Sequence, residues 1–171
     1  MKLAWPAALL LTACLGPASA GAQKQPWQSN LSGSSFVSKS PQYVQYLFPE
    51  QVSVAAGKDA VVDLHFKINA GMHINSHAPR EKWLIATRLI VAEMPGMTIG
   101  PVEFPAGSDY TLAAMPNDKL SVYTGEFVVR ATIHATAGQH MFEGALRYQA
   151  CDTSSCFPPR EAPVAVDVIA R

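Results

Sequence analysis

Val62-Asp63-Leu64-His65-Phe66-Lys67-Ile68 alternates apolar and polar side chains without a break, shortly after the turn sequence Gly57-Lys58-Asp59. A strict period of two puts one set of side chains on each face of an extended chain, so this run predicts a half-buried β-strand. The same period returns three times further on. Phe127, Val129, Ala131 and Ile133 alternate with Val128, Arg130, Thr132 and His134. Phe142, Leu146 and Tyr148 share a face opposite Glu143, Arg147 and Gln149, and Val164, Val166 and Val168 close the chain against Asp167. Shorter strand candidates span 51 to 56, 71 to 75, 84 to 93 and 97 to 104. With 13 prolines and 11 glycines spread as punctuation, the pattern favours many short elements joined by turns over a helical bundle. Seven or eight such strands predict an all-β chain folded as an antiparallel β-sandwich.

The expected architecture is immunoglobulin-like. The cysteines do not sit where antibody domains place their inter-sheet disulfide, which joins residues far apart in sequence, so the likeness is of architecture alone. A chain of 171 residues fits one domain, placed here at 45 to 171. Hydrophobic residues make up 49% and charged ones 15%, enough to build a core and too apolar for a chain disordered throughout. Thirteen basic residues balance thirteen acidic ones, which leaves no electrostatic footprint for nucleic acid or an anionic membrane surface. Residues 23 to 44, rich in Ser, Gln and Asn, carry neither period and are expected to form a flexible leader.

Residues 1 to 22 read as a secretory signal peptide. Met1-Lys2 opens it, residues 3 to 16 are almost wholly apolar, and Gly16-Pro17 ends the run before the small-residue cleavage sites Ala18-Ser19-Ala20 and Ala20-Gly21-Ala22. The run is too short to span a bilayer comfortably. Leu11-Thr12-Ala13-Cys14 also resembles the lipobox at which bacterial lipoproteins are cut and acylated, so membrane attachment through Cys14 is the competing expectation. Removing Lys2 takes the basic count from 13 to 12 against 13 acidic residues. Either cleavage removes or caps Cys14 and leaves Cys151 and Cys156 as a pair in an exported, oxidising compartment.

That pair closes a small loop, Cys151-Asp152-Thr153-Ser154-Ser155-Cys156, after one strand and before Phe157-Pro158-Pro159. On chain entropy such a loop stabilises by roughly 2 kcal/mol, against more than about 4 for a loop of a hundred residues. As a staple it is inefficient, although a local structural disulfide remains one reading. The spacing is not Cys-x-x-Cys, no Lys, Arg or His lies inside the loop, and the prolines leave no helix start to lower a thiol pKa. Chemically the pair suits a disulfide that a partner's thiolate attacks, or a dithiol that hands electrons on. Two thiols alone would need histidines from elsewhere to hold a metal.

Arg147-Tyr148-Gln149-Ala150-Cys151 through Cys156-Phe157-Pro158-Pro159, followed by Pro163-Val164 and an alternating strand, resembles the Tyr-Gln-(small)-Cys…Cys-(aromatic)-Pro-Pro signature of the N-terminal periplasmic domain of DsbD, the thiol:disulfide interchange protein. The resemblance covers roughly residues 45 to 170 and is most specific over the last 25. It implies an immunoglobulin-like fold whose cysteines relay electrons between DsbD's other domains and periplasmic thiol oxidoreductases. Carried over by position, Cys151 and Cys156 are the redox pair, and Cys156 is the cysteine that forms mixed disulfides. Gly71-Met72-His73-Ile74-Asn75 is similar to the family's Gly-Tyr-Tyr-Leu-Tyr strand, with His73 and Asn75 in place of two active-site tyrosines.

The chain also departs from the family pattern. Four residues separate the cysteines here, where the best-known member has five. The cap loop that shields the disulfide is expected within Ser108 to Ser121. The aromatic-Gly core of that loop is missing, so Tyr110, Leu112 and Met115 are its candidates. Tyr148 joins His73, Asn75, Tyr110 and Met115 as a supporting residue. The sequence to Arg171 carries neither DsbD's membrane domain nor its thioredoxin-like domain, so the expected partners are thioredoxin-like periplasmic oxidoreductases and a separate membrane electron carrier.

No cofactor or metal is expected. Met72-His73, His77, Met94, Met97, Met115 and His140-Met141 are soft ligands that could suit copper, but they form no dense cluster and read better as core filling or solvated polar residues. His73, Asn75 and His77 share a face if their strand runs that far, and Ala78-Pro79 argues that it does not. No Ser-His-Asp spacing, Gly-rich phosphate loop or catalytic carboxylate pair supports hydrolase or kinase chemistry. A binding domain with a structural disulfide is the alternative to a redox module.

Overall fold

The computed structural model describes residues 41–47, 51–112 and 115–171, apart from the side chain of Met115. The readings of residues 1 to 22 and of Cys14, and most of the leader, lie outside these residues. All of the described residues fall in the compact unit Ser40–Arg171.

Among them the chain forms twelve strands: β1 (Val44–Leu47), β2 (Val52–Val54), β3 (Asp59–Ile68), β4 (His73–Asn75), β5 (Arg88–Val91), β6 (Met97–Glu103), β7 (Ser108–Leu112), β8 (Met115–Tyr123), β9 (Glu126–Ala135), β10 (Gly138–Tyr148), β11 (Ala150–Cys151) and β12 (Arg160–Ala170). They make three sheets, in the orders β1-β3-β9-β6, β2-β12-β10-β5 and β11-β4-β8-β7. Every named pairing is antiparallel except that of β2 with β12, which is parallel from Val52↔Val168 to Val54↔Ala170.

The first two sheets face each other, because alternate residues from both meet in one apolar cluster. Val62, Leu64, Phe66 and Ile68 of β3 and Phe127, Val129, Ala131 and Ile133 of β9 pack there with Phe142, Leu146 and Tyr148 of β10 and Val164, Val166 and Val168 of β12. The fold is thus the all-β sandwich that the alternation predicts. Phe66 is fully buried, with Phe127 stacked on it at 5.4 Å and Tyr46 tilted against it at 5.5 Å. Burying such a side chain contributes about 1.5–3 kcal/mol, and Phe66→Ala would cost about 3–5 kcal/mol once the cavity is included.

The third sheet joins the core through Ile74, Tyr123 and Ala150. It also covers a smaller cluster of Leu84, Leu120 and Val122, edged by Tyr110 and Leu112. The segment expected as a cap loop, Ser108 to Ser121, is a hairpin of β7 and β8 paired from Ser108↔Val122 to Leu112↔Met115. It is anchored at its base, where Ser76 N donates to Ser121 O at 2.9 Å and the Ser76 and Ser121 hydroxyls lie 2.8 Å apart. β4 starts just after Gly71, whose φ of +78° turns the chain out of β3 in a conformation that costs glycine nothing. β4 ends at Asn75, so His77 is off the strand; its ring stacks on Phe104 at 4.4 Å.

Candidate functional site

The short ladders of the third sheet set three chain passes side by side. β11 pairs with β4 through Ala150↔Ile74 and Cys151↔His73, and Cys156 forms an antiparallel bridge back to Cys151. Cys156, Cys151 and His73 therefore occupy successive positions across the sheet. The cysteines are disulfide-bonded, with their Cα atoms 4.0 Å apart.

The loop between them has its own scaffold. Asp152 N donates to Ser155 O at 2.9 Å and Phe157 N to Ala150 O at 2.8 Å. One oxygen of Asp152, Oδ1, accepts from Ser154 N and Ser155 N, each at 2.7 Å, and from Ser154 Oγ at 2.9 Å. This is the turn that Asp favours by bonding the backbone two residues on. Those amides, with a smaller contribution from the charge of His73, hold the Asp152 carboxyl below the usual carboxylate range.

The two cysteines sit in unlike surroundings. Cys151 is 2% exposed, whereas Cys156 is exposed. Behind Cys156, Phe157 stacks on Tyr43 at 4.9 Å and its carbonyl accepts from Gln149 Nε2 at 3.3 Å. Gln149 Oε1 in turn accepts from Asn75 Nδ2 at 3.2 Å, and that nitrogen also donates to Ile85 O at 3.0 Å. Asn75 is completely buried, and the Thr87 hydroxyl donates to its carbonyl at 2.6 Å. A chain of side-chain bonds thus runs from β4 to the residue after Cys156.

His73 is 1% exposed and its Nε2 has no hydrogen-bond partner. The Tyr110 ring of β7 lies against it with centroids 4.1 Å apart. Burial pushes the His73 pKa down, with the Asp152 charge acting the other way. Of the residues expected at the site, His73 lies opposite Cys151, Tyr110 packs on His73, and Asn75 is joined through Gln149 to Phe157. Tyr148 acts at one remove: its hydroxyl accepts from Tyr43 N at 3.2 Å and Val44 N at 3.3 Å and donates to Gln42 Oε1 at 3.1 Å, which fixes the strand end carrying Tyr43. The side chain of Met115 is outside the described residues. Among those residues, no three His, Cys, Asp or Glu side chains are grouped to hold a metal ion.

Four contributors are not among the candidate site residues of the sequence: Tyr43, Asp152, and Gln149 and Phe157, which stand in the family signature without a role assigned to them. Asp152 had a local signal in its Asp-x-Ser-Ser turn sequence. Tyr43 had none, since it joins the site across more than a hundred residues of chain and lies in the stretch read as leader.

Comparison with solved structures finds the N-terminal domain of Neisseria meningitidis DsbD in its reduced form, at 18% identity and a TM-score of 0.41, over 65% of this chain and 79% of that one. It also finds the N-terminal periplasmic domain of ScsB from Proteus mirabilis, at 12% identity and a TM-score of 0.49, over 72% of this chain and 44% of that one. No curated protein matches. The family description "Thiol:disulfide interchange protein DsbD, N-terminal" matches residues 44–167, which span both cysteines and all three sheets. The chain belongs to the DsbD N-terminal domain family.

Proposed function

We propose that this chain is a periplasmic thiol:disulfide interchange module that passes two electrons at a time through Cys151 and Cys156, to or from thioredoxin-like partners, with a membrane electron carrier at the other end of the relay. Export by the signal peptide of residues 1 to 22, or anchoring at Cys14, would deliver it to that compartment. The unequal exposure of the two bonded cysteines carries the reading. A partner's thiolate can approach exposed Cys156, while Cys151 is buried at the end of β11.

Attack at Cys156 forms the mixed disulfide and frees Cys151 as a thiolate; in the opposite direction Cys151 attacks Cys156 and releases the partner. The Asp152 turn supports this chemistry, since its hydrogen bonds run between Asp152, Ser154 and Ser155 and include neither sulfur. No organic cofactor enters the exchange.

Single-cysteine variants test the reading. C151A should trap a mixed disulfide with a thioredoxin-like protein through Cys156, and C156A should trap little or none. Equal trapping by both would overturn the assignment of roles.

A further inference from the structure

We infer that His73 takes the proton from the Cys151 thiol when the mixed disulfide at Cys156 is resolved, an inference that rests on Cys156 being the attacked sulfur. His73 and Cys151 are directly opposed across the β4–β11 ladder, and residues so paired project on the same face, with Cβ atoms about 4.5–5.5 Å apart. The His73 side chain is buried, and Nε2 is left without a partner. Buried polar atoms nearly always have one. In the oxidised form the neighbouring sulfur has no proton to offer. Once the disulfide opens, Cys151 becomes a thiol, and its S–H is the donor that Nε2 lacks.

The surroundings suit a base rather than a standing charge. Burial favours the neutral imidazole, whose Nε2 lone pair is free in the tautomer protonated at Nδ1. The ionisable groups facing the ring are the Tyr110 phenol from β7, the Asp152 carboxylate beyond β11 and the cysteines themselves. Asp152, pinned by Ser154 and Ser155, is in place to stabilise an imidazolium once one forms.

The step balances. Cys151 Sγ gives its proton to Nε2 and attacks Cys156 Sγ; the Cys151–Cys156 bond forms, the bond from Cys156 to the partner's sulfur breaks, and the partner leaves as a thiolate. The domain's cysteines are oxidised, the partner's sulfur is reduced, and the imidazolium passes its proton to the departing thiolate or to solvent. In reverse, the imidazolium protonates Cys151 as it leaves.

The test uses the reduced full chain and the disulfide reagent 5,5′-dithiobis(2-nitrobenzoate). The first thionitrobenzoate released reports attack by the more accessible cysteine, and the second reports resolution by the other. General-base assistance is typically worth about 10²–10⁴-fold. H73Q and H73F should therefore slow the second release at pH 7 by at least about tenfold and leave the first within about twofold. The second release in the natural chain should level off above the imidazole pKa, while in both variants it should climb with pH as Cys151 ionises unaided. Unchanged second-release rates and pH profiles would overturn the inference.

Two controls keep it falsifiable. Should either variant fail to fold, the ¹⁵N resonance of His73 Nε2 decides, because it must differ between C156A, where Cys151 is a free thiol, and C151A, where no thiol is there to bond; identical resonances would refute the pairing. Faster labelling of C156A than of C151A would instead sink the assignment of Cys156 as the attacked sulfur, and the same resonance comparison would still judge His73 separately.

Discussion

Replacing Tyr148 by Phe removes one oxygen and leaves the packed ring in place. In the native fold that hydroxyl accepts from Tyr43 N and Val44 N and donates to Gln42 Oε1. Val44 is 1% exposed, so its N–H would be stranded without water, at a cost of about 1–3 kcal/mol. Tyr43 is only half-buried, and a water can replace its lost acceptor cheaply. The sum is about 2 kcal/mol of lost stability. A domain of about 130 residues loses about 3–4 °C per kcal/mol, so the melting midpoint should fall by about 7 °C. A second readout reaches the site: with β1 loosened, Tyr43 no longer holds Phe157 firmly, and thiol reagents should label Cys156 of the reduced protein faster than in the natural chain. A midpoint within 1 °C of the natural protein's, as measured by circular dichroism, would refute the claim that β10 fastens the start of β1 through this hydroxyl.

Further outcomes follow from the same geometry. Reduction should leave the protein folded, because a loop with cysteines 5 apart in sequence contributes only about 2 kcal/mol; melts with reductant should shift down by about 7 °C, with faster amide exchange confined to residues 71–77 and 108–121, and global unfolding would return the pair to a structural role. Acid should weaken the fold in two stages. The buried His73 has its pKa below the ordinary 6.5, so its stabilisation is complete above that pH and is lost as pH falls through the lowered value. The same sign holds for Asp152, whose contribution is present above 3.8 and disappears as acid protonates it. Melting midpoints of D152N and the natural chain, apart at neutral pH, should converge at the acid end. Gly107→Ala should put a Cβ 2.2 Å from Ser121 Oγ and 2.8 Å from Ser76 Cβ; both belong to the hairpin's anchor, so a loss of about 1–3 kcal/mol is expected in a chemical denaturation series.

The long strands were legible because each faces the core on one side and solvent on the other. β3, β9, β10 and β12 bury alternate residues along their length, and a period of two records that arrangement in the sequence. The third sheet was far less legible. β4 buries His73, Ile74 and Asn75 in succession, since strands flank it and packed side chains cover both faces, so alternation is lost. In β7, Tyr110 and Leu112 are half-buried and the rest exposed, and β8 runs through Pro116-Asn117-Asp118 before its buried residues begin. A hairpin with so little core to face carries a weak pattern and reads as a loop.

The site divides in the same way. The cysteines and His73 stood out by chemical type and by a local motif. The links that position Cys156 did not. Asn75 to Gln149 and Tyr43 to Phe157 each join distant segments, and pairing at that range is set by sheet topology rather than by any local run of residues. Tyr110 stands out in the sequence only as an aromatic in the segment expected to shield the disulfide, and its packing on His73 is again a contact between distant segments.

Everything proposed for this chain depends on the Cys151–Cys156 disulfide being exchangeable rather than a staple. Equilibrating the purified protein with a thioredoxin of known potential, then quenching and counting free thiols in both proteins, gives its reduction potential directly. An interchange module should come out near about −270 mV or higher, within reach of thioredoxin-like partners, whereas a value below about −300 mV would mark a structural disulfide and contradict the account.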